Sequence, residues 1–153
     1  MGQVEARLEK LGIKLGEVPA AVANYVPAKQ VGKVVYTSGN DCRIDGVLMY
    51  TGKIGSDLTV EQGYEAARQV AVNLLAVLKQ HLGELDRIKQ VVKMLAFVNS
   101  ADGFVEQPYV INGASDLLVS ALGDKGKHAR SAISANELPF NTPVEIELIV
   151  EVE

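Results

Sequence analysis

The chain predicts an α+β domain: one mixed β-sheet with two long helices on one of its faces. Three observations carry this. Periodicity gives the order helix, strand, strand, helix, strand, helix, strand, strand. Only two of those helices are long, too few to cover both faces of a doubly wound parallel sheet. The C-terminal Val144, Ile146, Leu148, Val150 and Val152 alternate with Glu145, Glu147 and Glu151, the two-residue period of a strand with one face in a core. At 153 residues the chain is read as a single domain, 1–153, and a core of that size needs neither disulfide nor metal for stability.

The elements follow in order. Residues 1–23 read as an N-terminal extension with a short helix over 3–11, where Val4, Leu8 and Leu11 share a face and Gly12 ends it. A connection containing Pro19 leads to an extended stretch, Tyr25 to Val31. Gly32-Lys33 is a two-residue hairpin turn into a strand over 33–39 rich in Val, Tyr and Thr. Residues 40–57 are a long glycine-bearing loop with a short extended piece over 46–50, either a functional lid or binding loop or an ordinary surface excursion. Thr59-Val-Glu-Gln62 is a capping-box sequence. Behind it Val60, Tyr64, Ala67, Ala71, Leu74, Leu78 and Leu82 form one helical stripe, stopped at Gly83.

Residues 88–99 read as a long strand. Met94 to Val98 is apolar on both faces, so this strand is expected to be central and covered on both sides. Pro108 starts a second long helix and Gly123 ends it, with Tyr109, Leu117, Leu118, Ala121 and Leu122 as its apolar face. Met94, Val98, Ile133 and Ala135 leave apolar surface on a second sheet face, which implies oligomerisation.

The stretch from Arg130 to Glu147 reads as two strands joined by a turn over 137–143, where Pro139, Asn141 and Pro143 break the pattern. Such a hairpin brings Arg130 near Glu145 or Glu147. The pair is then either a surface ion pair on an edge strand or a device that holds a small acid and a water together.

Composition narrows the function. The formal charge is -4 and there is no run of Lys and Arg, which disfavours extended nucleic-acid binding. One cysteine, Cys42, excludes an internal disulfide, and it reads as an inert loop thiol. His81 and His128 lack metal-ligand spacing, so neither metal nor cofactor is expected. No apolar run reaches membrane length, no signal core is seen, and the expected location is cytoplasmic. GxGxxG, P-loop and GxSxG motifs are absent.

Particular residues then resemble those of the RidA/YjgF family, formerly called endoribonuclease L-PSP. They are Tyr25, Val35-Tyr-Thr-Ser-Gly39, Thr51-Gly52, the helix from Thr59, Val98 with the loop to Phe104, Asn112, Ala129-Arg130-Ser131, Leu138-Pro139 and Val144-Glu-Ile-Glu147. The resemblance spans roughly residues 24–153 and leaves 1–23 outside. It implies a chorismate-mutase-like fold, a homotrimer with ligand clefts between subunits, and hydrolysis of 2-enamine or 2-imino acids to 2-oxo acids and ammonia. By resemblance Arg130 binds the substrate carboxylate and Glu145 positions water, while Tyr25, Ser38, Gly39 and Asn112 line the site. The sequence departs from the family pattern at Asn40, for a common glutamine, and at Ala132, for a frequent cysteine. It departs again at His128 and Asn24, each for a proline, and in the longer 40–57 loop. Two other functions stand beside the deaminase: a non-catalytic small-carboxylate binder or regulatory trimer, and an endoribonuclease, which the acidic balance disfavours.

Overall fold

The computed structural model describes residues 2–18 and 23–153. The expected connection at Pro19 lies outside the described residues. Helix α1 is Gln3–Lys10, strand β1 Ala28–Val31 and strand β2 Val34–Thr37. A small hairpin follows, β3 (Arg43–Ile44) and β4 (Val47–Leu48). Helix α2 is Val60–Leu82, strand β5 Ile88–Asn99 and helix α3 Gln107–Leu122. Strands β6 (Ala129–Ala135) and β7 (Val144–Val152) complete the chain.

Five strands form one mixed sheet in the order β1-β2-β7-β5-β6. Strands β5 and β6 run parallel, and the other neighbours are antiparallel. The expected α+β architecture is therefore present, with α2 and α3 together on one face. Strand β5 is in the middle of the β7-β5-β6 ladder. Its Met94, Ala96 and Val98 meet Val144, Ile146 and Leu148 of β7 in a buried layer under the helices. Burying aliphatic side chains of this size is worth about 1.5–3 kcal/mol each, which makes this layer the main stabilising contact of the sheet.

Helix α2 begins with the predicted capping box. Thr59 Oγ1 accepts from Gln62 N at 3.1 Å, and Gln62 Oε1 accepts from Thr59 N at 2.9 Å. In its stripe Ala67, Ala71, Leu74 and Leu78 are fully buried, while Val60 and Tyr64 at its start are half-buried. The two long helices touch at a glycine: a Cβ on Gly113 of α3 would stand 2.0 Å from the Tyr64 carbonyl oxygen of α2. Only a residue without a side chain permits that approach. Tyr64 also donates its phenol to Asp116 at 2.7 Å across the same interface.

Helix α1 is tied to the rest of the chain by reciprocal capping. Asp86 accepts from Gln3 N at 2.8 Å and Val4 N at 2.9 Å. Glu5 Oε1 in turn accepts from Leu85 N at 2.8 Å, and Val4 and Leu8 are buried. These bonds satisfy backbone N–H groups that a helix start leaves open.

Four expectations are corrected. Met94 and Val98 lie in the buried layer under the helices, so they add nothing to the second sheet face on which they were expected. The stretch 130–147 is not a hairpin, because β6 and β7 lie on opposite sides of β5 and do not pair. A parallel β6 gains a ladder on β5 that a hairpin with β7 would forfeit. The second face of β5 is not covered by the described residues: Leu95 and Phe97 are only half-buried there. Tyr109 is exposed rather than part of the apolar face of α3. The 40–57 loop contains the β3–β4 hairpin, turned by Asp45 and Gly46, both at positive φ. Asp-Gly is a strong signal for that turn.

Candidate functional site

Paired residues in a sheet share a face, and this fixes where the predicted site residues point. Arg130 is level with Met94, so it lies on the helix side. Glu145 pairs with Phe97, which pairs with Ile133, so it lies on the open side. Two strand spacings and a three-residue offset put Arg130 and Glu145 roughly 14 Å apart at Cα, on opposite faces. The expectation that one chain joins them is therefore corrected, and β5 is the reason. Glu147, the other candidate partner, is on the open face as well, level with Leu95 and Ser131.

The predicted residues divide into two clusters. The first surrounds Arg130 at the outer edge of the sheet, beneath α3. Its Nη1 donates to Ser115 Oγ at 2.9 Å and its Nη2 donates to the Pro108 carbonyl at 3.2 Å. Pro108, Asn112 and Ser115 recur at the spacing of one helical stripe, which turns that side of α3 toward Arg130. Asn112 is half-buried on this stripe. Ser115 Oγ is also 3.0 Å from His128 Nε2, and His128 Nδ1 is 2.6 Å from the Gly126 carbonyl oxygen. Among the described residues no carboxylate lies within ion-pair reach of Arg130. The surface ion pair weighed from the sequence is thus not formed within the chain.

The second cluster surrounds Glu145. Strand β2 carries one extra residue against β7 here. Tyr36 pairs with Ile149, yet Asn40 bridges Ile146, so the register slips by one over Thr37 to Gly39. Thr37 Oγ1 fills the gap by accepting from Leu148 N at 2.9 Å. Ser38 is fixed by Oγ donating to the Val26 carbonyl at 2.6 Å and by its N–H donating to the Pro27 carbonyl. The slip lays Gly39 against the Glu145 side chain: a Cβ at Gly39 would stand 2.9 Å from Glu145 Oε2. Tyr25 leads into the same Val26–Pro27 strand edge and is exposed. Burial raises the Glu145 carboxyl above its usual pKa, and the nearby charges of Asp41 and Glu147 raise it further.

Tyr25, Ser38, Gly39 and Glu145 are thus brought to one side of the sheet, and Arg130 and Asn112 to the other. Cys42 is buried, with Sγ 3.7 Å from the Tyr50 carbonyl and 3.8 Å from Thr142 Oγ1, which leaves it packed rather than presented. His128 is half-buried and hydrogen-bonded to Ser115. Sequence reasoning missed Ser115 and Asp41. Ser115 could have been found as the residue one turn on from Asn112, once an arginine was expected beneath that stripe. Among the described residues no helix is long and apolar enough to cross a membrane, and no group of three or more His, Cys, Asp or Glu is placed to hold a metal.

A family model described as "YjgF/chorismate mutase-like, putative endoribonuclease" matches residues 5–152. The chain belongs to the RidA/YjgF family. The match begins well before residue 24, so α1 lies almost wholly within the matched range rather than outside it. Protein TCP17 of Trypanosoma cruzi is 44% identical over 98% of this chain and 94% of its own length. A crystal structure from Shewanella oneidensis MR-1, titled as that of a "putative endoribonuclease", superposes with a TM-score of 0.96 at 38% identity, over 99% of this chain and 100% of the other. RidA from the Antarctic bacterium Psychrobacter sp. PAMC 21119 superposes at 0.62 with 27% identity, over 89% of this chain and 94% of its own. The fit to the Shewanella structure spans nearly the full chain, whereas the RidA match omits about a tenth of it. The RidA/YjgF sheet and helices are thus common to both, and the extra agreement of the first includes the remainder.

Proposed function

We propose that the protein is a hydrolase of 2-enamine and 2-imino acids, working in clefts between the subunits of a homotrimer. One observation carries this reading. Arg130 is oriented by Ser115 and Pro108, has no carboxylate partner among the described residues, and lies on the opposite sheet face from Glu145. An arginine held in place without a counter-ion is suited to a ligand carboxylate, because its fork gives two parallel donors. A water-directing carboxylate roughly 14 Å away on the other face cannot serve the same ligand, but the Glu145 of a second subunit can. The open face supports such packing. Tyr36, Leu95, Phe97, Ile133 and Ile149 share it, and Tyr36 is 46% and Ile133 45% exposed. Apolar surface of this kind marks a protein contact.

In this reading the substrate carboxylate sits on Arg130, with Asn112 beside it. Tyr25, Ser38 and Gly39 of the neighbouring subunit line the other wall. Glu145 of that neighbour accepts a proton from water as its oxygen bonds to C2 and the C=N π pair moves to nitrogen. The proton passes to the nitrogen. In the resulting carbinolamine Glu145 takes the hydroxyl proton and gives it to the amino nitrogen. The oxygen pair closes C=O as the C–N bond breaks, and ammonia leaves the 2-oxo acid. A 2-enamine enters the same route after tautomerising to the imine. A carboxyl raised by burial suits this, since base catalysis is most effective when the pKa approaches the working pH.

The test follows disappearance of a 2-imino acid generated enzymatically in the cuvette. The wild-type protein is expected to speed hydrolysis, with Arg130→Ala at the rate of buffer. Wild-type protein that leaves the rate at the buffer value would favour the carboxylate-binding or regulatory reading and would overturn this one. RNA incubated with nuclease-free protein is expected to stay intact, because the formal charge is -4 and there is no run of Lys and Arg to bind phosphate.

A further inference from the structure

Arg130 is held by a chain of hydrogen bonds whose direction can be read from donor and acceptor chemistry. The Gly126 carbonyl only accepts, so His128 Nδ1 carries the proton, at 2.6 Å. In the neutral ring Nε2 is then an acceptor. Its partner at 3.0 Å is Ser115 Oγ, so the serine hydroxyl hydrogen points at His128. That leaves the Ser115 lone pairs for Arg130 Nη1, 2.9 Å away. Each link fixes the next. The loop carbonyl sets the tautomer, the tautomer sets the hydroxyl, and the hydroxyl sets the plane of the guanidinium.

We infer that His128, acting through Ser115, is a positioning residue for the carboxylate anchor Arg130. The inference rests on the proposed deaminase reading of the Arg130 site. His128 touches no substrate. Its effect is on how well the arginine fork is aligned when the acid arrives, and so on substrate capture rather than on the chemical step at the neighbour's Glu145. Without His128 the Ser115 hydroxyl is free to rotate, and its hydrogen then competes for the space of the Arg130 Nη1–H. Misalignment of a bidentate pair weakens both of its bonds.

The experiment measures kcat and KM for 2-iminopropanoate generated in the cuvette. The proteins are wild type, His128→Ala, Ser115→Ala, the double variant, His128→Gln and Arg130→Ala. His128→Ala is expected to raise KM about three- to tenfold with kcat nearly unchanged, the size of one net hydrogen bond. Ser115→Ala should do the same. The double variant should be no worse than the worse single one, because both changes cut one chain. His128→Gln places an amide oxygen within reach of Ser115 and should recover most of the loss. An unchanged KM in His128→Ala, beside an inactive Arg130→Ala, would overturn the relay while the deaminase reading stands. Additive losses in the double variant, or a fall in kcat alone, would also overturn it. An active Arg130→Ala would overturn the reading and the relay together. If His128→Ala fails to fold, His128→Gln and Ser115→Ala still decide. Wild-type KM in both supports no relay, and a raised KM in Ser115→Ala with near-wild-type KM in His128→Gln supports it.

Discussion

The Arg130 cluster and the Glu145 cluster are built by opposite means. Arg130 is placed by what it bonds to: a serine and a carbonyl from α3, with His128 behind the serine. Glu145 is placed by what is missing beside it, a Cβ on Gly39, and its carboxyl is raised by partial burial. In the proposed function the difference follows from the work each has to do. An arginine is charged at any relevant pH, so it needs direction rather than tuning. A glutamate is an indifferent base at its ordinary pKa, so it needs tuning, and burial with like charges nearby supplies it. That the two stand on opposite faces of one sheet turns the contrast into a statement about assembly, because in the proposed function a single site draws them from different copies of the chain.

The largest expected effect tests that statement. Arg130→Ala and Glu145→Gln should each be close to inactive as pure proteins. Unfolded together and refolded at equal amounts, they should regain about a quarter of wild-type turnover per cleft, since random assembly gives that share of clefts both native residues. Mixtures with no more activity than the pure variants would mean that one chain supplies both groups. Arg130→Lys, which keeps the charge and loses the fork, should lower hydrolysis about tenfold, near one contact of ~1.4 kcal/mol. Both Arg130 variants should melt within a few degrees of wild type, because the side chain sits at the sheet edge and not in the core.

Next come changes on the Glu145 side. Glu145→Gln alone should lower kcat on the order of 10²- to 10⁴-fold, the usual worth of a positioned base. Gly39→Ala should act through the same carboxylate. The new methyl stands 2.9 Å from Oε2, which is the free end of a flexible side chain, so the carboxylate moves and the fold survives. A kcat roughly tenfold lower in a normally assembled protein is expected, by comparison with the larger loss on removing the base outright. Unchanged kcat in Gly39→Ala would show that Glu145 is not held where the mechanism needs it.

How much of this the sequence carried differs between the two clusters for a physical reason. Capping, periodicity and turn residues are local signals, and they placed α2, α3, β5 and β7 within a residue or two. Strand pairing is not local. The alternation of Arg130, Ala132 and Ser134 is equally compatible with β6 pairing on β7 or on β5, and only the competition for ladder partners decides. The proposed hairpin failed there, and the nearness of Arg130 to Glu145 failed with it. Ser38 and Gly39 were legible as a strand end, but the one-residue slip that presses Gly39 on Glu145 depends on the register of β2 against β7, which no pattern in β2 records. Likewise His128 could be seen as unusual in its place, whereas its link to Ser115 depends on how α3 lies over β6.

The smallest effect is on stability, and its sign separates Glu145 from a carboxylate that is merely structural. Burial, then Asp41, then Glu147 raise the folded-state pKa of Glu145 above its usual 4.5. Between the two values the folded chain holds more proton than the unfolded chain, so unfolding becomes easier as pH rises through that window. Asp86 is the opposite case. The N–H groups of Val4 and Gln3 lower its pKa below 3.8, so its contribution is present above that value and is lost as pH falls through the folded pKa. Glu145→Gln should therefore match wild type at the acid end and melt higher at pH 7. Asp86→Asn should melt lower at pH 7 and converge with wild type in acid, with kcat and KM per assembled protein intact, because α1 carries no group of either cluster. Melting followed by circular dichroism from pH 3 to 8 reads both trends. A Glu145→Gln protein less stable than wild type at pH 7 would mean that the carboxylate is satisfied by partners in the assembled protein, and its role as a strained base would have to be given up.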